Sequence, residues 1–133
     1  MEIYRQETEI RLMGIRVKGF PLGIKEAFDS LGKNLGTNRA YYGISWMGEK
    51  GEIIYFAMAE ELIPGENQAH QYDLLTIEKG DYHVEVIHDW LSKTHLIKDV
   101  FHRMTLGLTP NKNHPCIEWY KSDEEMLCMI KVV

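Results

Sequence analysis

Apolar and polar residues alternate from Glu9 to Phe20, with Ile10, Leu12, Ile15 and Val17 as β-formers, so this stretch reads as a strand. The period then changes. Ile24, Phe28, Leu31 and Leu35 recur at i, i+4, i+7 and i+11, one face of an amphipathic helix, and Pro21 stands where that helix is expected to begin. Two strands should follow, Tyr41 to Met47 and Glu52 to Glu60, joined by the turn Gly48-Glu49-Lys50-Gly51. Residues 61–73, opening with Glu61-Leu62-Ile63-Pro64-Gly65, read as a surface linker. A second helical stripe, Ile97, Phe101, Met104 and Leu108, is expected to be capped by Ser92 or Thr94. The strands Pro115 to Lys121 and Glu125 to Val133 then close the chain around Lys121-Ser122-Asp123-Glu124.

The two patterns are one pattern used twice. A shift of 73 positions lays residues 97–133 on 24–60 without a gap, with eight identities. Ile24-Lys25-Glu26-Ala27-Phe28 falls on Ile97-Lys98-Asp99-Val100-Phe101, and Ile44-Ser45-Trp46 falls on Ile117-Glu118-Trp119. Upstream, a three-residue adjustment brings Val17 and Phe20 onto Ile87 and Trp90. The predicted fold is α+β: a single domain over 1–133, duplicated from a β-α-β-β unit (about 9–60 and 74–133) with pseudo-two-fold symmetry. Antiparallel sheet would carry the two helices on one face. The opposite face is expected to form a ligand groove where the halves meet.

Within this symmetry Glu118 is the position that breaks the repeat. Strand alternation puts it on a face with Cys116 and Tyr120, opposite Ile117 and Trp119. Its counterpart is Ser45, with Met47 two residues on. A wet strand face would also carry a charge, but Cys116 and Tyr120 make poor solvent neighbours. Trp90, Trp46, Trp119 and the strand aromatics Tyr41, Tyr42, Tyr55 and Phe56 are available to line a pocket, although Trp46 and Trp119 share the parity of the core isoleucines. A cation over such rings gains about 0.5–2 kcal/mol per good contact. The candidate ligand-binding set is therefore Glu118, Tyr120, Cys116, Ser45, Met47, Trp46, Trp119 and Trp90.

Composition narrows the classes. The chain has 133 residues, 44% of them hydrophobic and 26% charged, which suits an ordered domain. A net charge of -5 with no basic cluster argues against direct nucleic-acid binding. No apolar run nears the roughly 20 residues of a membrane span, and the start, Met1 to Glu7, lacks the features of a signal peptide. Cys116 and Cys128 fit no disulfide framework, so a reducing, cytoplasmic setting is expected. His83, His88, His95 and His102 lack metal-ligand spacing, and no Gly-x-Ser-x-Gly elbow or phosphate loop occurs; neither metal nor cofactor is expected.

Three segments carry a family resemblance. They are Leu12-Met13-Gly14-Ile15-Arg16-Val17-Lys18-Gly19-Phe20, Leu75-Thr76-Ile77-Glu78-Lys79-Gly80-Asp81-Tyr82 and Cys116-Ile117-Glu118-Trp119-Tyr120-Lys121-Ser122-Asp123. In order and spacing the chain resembles the GyrI-like, AraC-type effector-binding domain of bacterial transcription activators, over essentially its whole length. The resemblance implies a duplicated β-α-β-β fold whose cleft binds lipophilic, often cationic compounds, with a glutamate in the cleft at the position of Glu118 and a tyrosine at that of Tyr120. Ile117 departs from the signature, which often has a ring there. Relatives are often fused to a DNA-reading helix-turn-helix, for which these residues leave no room. Some stand-alone relatives look like drug-sequestering proteins and others like hydrolases of reactive small molecules.

Two functions follow. In a binding module, ionised Glu118 pairs with a lipophilic cation. In a hydrolase, burial raises the carboxyl pKa, and Glu118 assisted by Tyr120 acts as acid/base on an electrophile. A protein partner met by the acidic surface, or a homodimer through an edge strand, is a weaker third reading.

Overall fold

The computed structural model describes residues 2–106 and 108–132; the ends of the expected 1–133 domain, Met1 and Val133, lie outside the described residues. Eight strands form one antiparallel sheet: β1 (Glu2–Gln6), β2 (Ile10–Arg16), β3 (Tyr41–Met47), β4 (Ile53–Glu60), β5 (Asp73–Ile77), β6 (Gly80–His88), β7 (Cys116–Tyr120) and β8 (Glu125–Lys131). Three helices accompany them: α1 (Ile24–Leu35), α2 (Glu66–His70) and α3 (Thr94–Met104). The strand order is β1-β6-β8-β7-β3-β4-β2-β5.

That order shows the duplication directly. Ile44 and Ile117, matched by the 73-residue shift, sit opposite each other in the β3/β7 ladder, so the pseudo-axis passes between them. Each half also contains one strand more than the sequence pattern suggests. β1 leads the first half and β5 the second, and each pairs with the other half: β1 with β6, β5 with β2. The repeat unit is therefore β-β-α-β-β. Their short, half-exposed patterns hide these edge strands in the sequence.

The exchanged strands force the sheet to curl. β1 and β2 stand six strand spacings apart in the order, about 29 Å in a flat sheet. The chain from Gln6 to Ile10 reaches no more than about 14 Å. The link from β5 to β6 imposes the same constraint. Inside the curl, residues of both halves make the main core: Leu12, Tyr42, Ile44, Met58, Ile77, Tyr82, Val84, Ile117, Leu127 and Met129. Each such side chain is worth about 1.5–3 kcal/mol of burial. The helix-free face is thus filled, not grooved, which corrects the expected placement of a ligand cleft there.

α1 and α3 pack on the opposite, convex face. Ala27 and Leu31 of α1 are buried against Val17, Tyr55 and Ala57, while Phe101 of α3 packs on Ile87, Cys116, Met126, Cys128 and Ile130. α1 begins at Ile24 rather than Pro21, because Gly19 and Gly23, at φ 77° and 92°, turn the chain first. α3 ends at Met104, leaving Leu108 outside the helix and 55% exposed. Neither Ser92 nor Thr94 caps it. Ser92 Oγ donates instead to Asp89, and Thr94 is already the first helical residue. The upstream alignment shifts too. Val17 donates its N–H to Tyr55 and Glu85 lies opposite Cys128; since Tyr55 and Cys128 correspond, the counterpart of Val17 is Glu85, not Ile87. The linker is more ordered than its composition suggests. It contains α2, and Glu66 is gripped by both guanidinium nitrogens of Arg39 at 3.1 and 3.0 Å and by the N–H groups of Leu62 and Ile63.

Candidate functional site

Beside the pseudo-axis, on the helix-bearing face, the β3/β7 ladder sets Gly43 opposite Glu118 and Ser45 opposite Cys116. Cys128 of β8 flanks Glu118 on the other side. Among the described residues Glu118 is the one charged residue in the buried set, 8% exposed. A carboxyl there needs hydrogen bonds, and two tyrosines supply them. Tyr55 of β4 and Tyr120 of β7 each donate to Oε1, both at 2.6 Å, and the two hydroxyls stand 3.5 Å apart. Oε2 has no hydrogen-bond partner among the described residues.

Room for this carboxyl comes from Gly43. A Cβ at that position would collide with Glu118 Oε1 and the Tyr55 hydroxyl. The symmetry-related position is Cys116, so the site exists in one orientation only.

Aromatic rings wall the triad. Phe20, from the turn before α1, stacks on Tyr55 at 5.2 Å between centroids. Phe28 of α1 meets Tyr120 edge-on at 5.4 Å. Trp90, from the turn before α3, lies 4.9 Å from Tyr120 and is fixed by its indole N–H, which donates to the Ser122 carbonyl at 2.8 Å. Burial pushes the Glu118 carboxyl above its ordinary value, and the two tyrosine hydrogen bonds offset only part of this. Burial and the adjacent carboxyl raise both tyrosines well above their usual range. The same two causes push the Cys116 thiol up to about 12 and raise Cys128, which makes both poor nucleophiles.

Of the residues singled out from sequence, Glu118, Tyr120, Cys116, Ser45 and Trp90 meet on this face. Met47 shares the face but lies at the strand end, 40% exposed. Trp46 and Trp119 point to the other side. Trp46 stacks on Phe56, and Trp119 packs between Tyr4 and Tyr42, so alternation makes them walls of the main core rather than of this site. Tyr55, Gly43, Phe20 and Phe28 were absent from the candidate set. Tyr55 was within reach: the hairpin turn fixes it opposite Ser45, the counterpart of Glu118. A recess of about 60 Å³ elsewhere, lined by Thr105, Leu108, Pro110, His114 and Ile130, does not include Glu118. Among the described residues no cluster of three or more His, Cys, Asp or Glu is placed to hold a metal, and no helix is long and apolar enough to cross a membrane.

No family model and no curated protein matches the sequence. Solved structures do resemble it in fold. An integron cassette protein from the mobile metagenome of Vibrio cholerae is 14% identical, with each chain covered in full and a TM-score of 0.64. SAV2435, solved bound to tetraphenylphosphonium, is 15% identical over 100% of this chain and 94% of its own, with a TM-score of 0.68. A hydrolase from Listeria innocua is 12% identical over 99% of this chain and 90% of its own, at 0.57. At these identities the likeness is one of fold.

Proposed function

We propose that the chain is a small-molecule-binding domain whose ligand is a lipophilic cation, held on the helix-bearing face between α1 and α3. The observation that carries this reading is Glu118: a buried carboxyl with one oxygen held by two tyrosines, the other without a partner among the described residues, and Phe20, Phe28 and Trp90 around it. Such a group offers a cation charge pairing in a low-dielectric site and ring faces to stack on. SAV2435, which shares the fold, was solved with a cation of this kind. Because Glu118 is only 8% exposed, the rings part as the ligand enters. The free, buried cysteines support a cytoplasmic protein, and the edges β1 and β5 are where a second copy would add.

Titration with tetraphenylphosphonium, followed by tryptophan fluorescence, tests the reading. Saturable binding that Glu118→Gln weakens about tenfold or more (~1.4 kcal/mol) is expected. Equal affinity in both forms removes the pairing role. The raised carboxyl pKa also favours a second reading, a hydrolase in which Glu118 delivers or takes a proton beside Tyr120. Turnover of an electrophilic substrate that survives Glu118→Gln eliminates that reading.

A further inference from the structure

Every group packed around Glu118 lacks positive charge. On β7 its neighbours are Cys116 and Tyr120; β4 supplies Tyr55, β3 supplies Gly43 and Ser45, and β8 supplies Cys128. Phe28 comes from α1 and Trp90 from the turn before α3. The charged and titratable side chains of α1 and α3 other than Arg103, namely Lys25, Glu26, Asp29, Lys33, His95, Lys98, Asp99 and His102, are exposed. Arg103 of α3 is committed to both oxygens of Glu85, at 2.6 and 2.7 Å. The carboxyl therefore has two neutral hydroxyl donors, both on Oε1, and nothing on Oε2 among the described residues.

A proton on Oε2 removes the charge and keeps both tyrosine hydrogen bonds, because Oε1 is then the carbonyl oxygen and still accepts from both. The new O–H, without an acceptor among the described residues, costs less than a buried charge would. Resting on the cation-binding reading above, we infer that free protein holds Glu118 as the neutral acid, protonated on Oε2, and that a lipophilic cation binds by replacing that proton one for one. The proton passes to solvent, and the cation takes up the charge pairing. The direction in which burial moves the carboxyl agrees with this. Affinity for cations is then set by pH. Below the carboxyl's titration it falls tenfold per pH unit, and above it becomes constant. Neutral ligands of the same shape show no such slope.

Calorimetric titration with tetraphenylphosphonium, in buffers of different protonation enthalpy from about pH 5 to about pH 9, counts the protons. The expected result is close to one proton released per cation at low pH, declining as pH rises, with none from Glu118→Gln. Binding without proton release at every pH overturns the exchange and leaves the cation-binding reading standing. An infrared difference spectrum of wild type against Glu118→Gln, without ligand, reports a protonated carboxyl directly. Absence of that band across the range overturns the inference whether or not a cation binds. A band present with no tetraphenylphosphonium binding overturns the binding reading and the exchange with it, and leaves a protonated Glu118 to the hydrolytic reading.

Discussion

Gly43 and Glu118 face each other across the β3/β7 ladder, and the carboxyl group occupies the volume a side chain at position 43 would fill. Gly43→Ala should therefore act as overpacking. The methyl group meets Glu118 Oε1 and the Tyr55 hydroxyl, and the expected loss is about 1–3 kcal/mol in denaturant unfolding. In a Glu118→Ala background part of that loss should disappear, because the colliding carboxyl is gone while the Tyr55 ring remains. Additive losses in the double mutant would mean that the glycine serves the backbone instead.

Glu118 should make stability fall with rising pH. Its carboxyl titrates above the ordinary 4.5 in the folded protein. Stability from the neutral buried form is complete below 4.5 and is lost as pH rises through the folded value, where the chain must bury a charge or unfold. Glu118→Gln stays neutral throughout. The melting temperature of the variant relative to wild type should climb from pH 4.5 upward and then level off. A constant difference would show that the carboxyl titrates normally.

Most of this architecture was legible because the two halves say the same thing twice. The β3/β4 and β7/β8 hairpins were placed within two residues, since alternation and turn chemistry agree there. Glu118 stood out because Ile-x-Trp was kept in both repeats while the residue between them diverged. What was missed depends on pairing across the chain. β1 and β5 exchange between halves, and no local pattern encodes that choice. The curl follows from it, and so does the filled face where a groove was expected. Tyr55 meets Glu118 from 63 residues away; the hairpin and the repeat pointed to it, and the pairing of β3 with β7 completes the contact.

A second pH effect should come from the linker, with opposite sign. The Arg39 guanidinium, aided by the Ile63 and Leu62 N–H groups, lowers the Glu66 carboxyl from 4.5 to about 2. This contribution is present above 4.5 and is lost as pH falls toward 2. Glu66→Gln should therefore melt below wild type at neutral pH, with the gap closing under acid conditions. The variant should also loosen α2, seen as faster amide exchange at Leu62 and Ile63, whose N–H groups lose a carboxylate acceptor. A gap unchanged down to low pH would assign the loss to packing alone.

The hydrogen-bond count at Glu118 also predicts which cations are favoured. Both tyrosine donors are spent on Oε1, so a bound ligand finds Oε2 as its carboxyl acceptor among rings and thiols. A primary ammonium brings three N–H donors, and two of them would face aromatic walls. Each unsatisfied donor costs about 1–3 kcal/mol in a dry site. A quaternary or delocalised cation brings no such donors and keeps its stacking on Trp90 and Phe28. An alkyltrimethylammonium should bind about tenfold or more tightly than the alkylammonium of equal chain length, a difference of at least ~1.4 kcal/mol. The difference should shrink in Glu118→Gln, where charge pairing no longer holds either head group in place. Equal binding of the two head groups to wild type would mean that the ammonium keeps its water, and that the ligand stops short of the carboxyl.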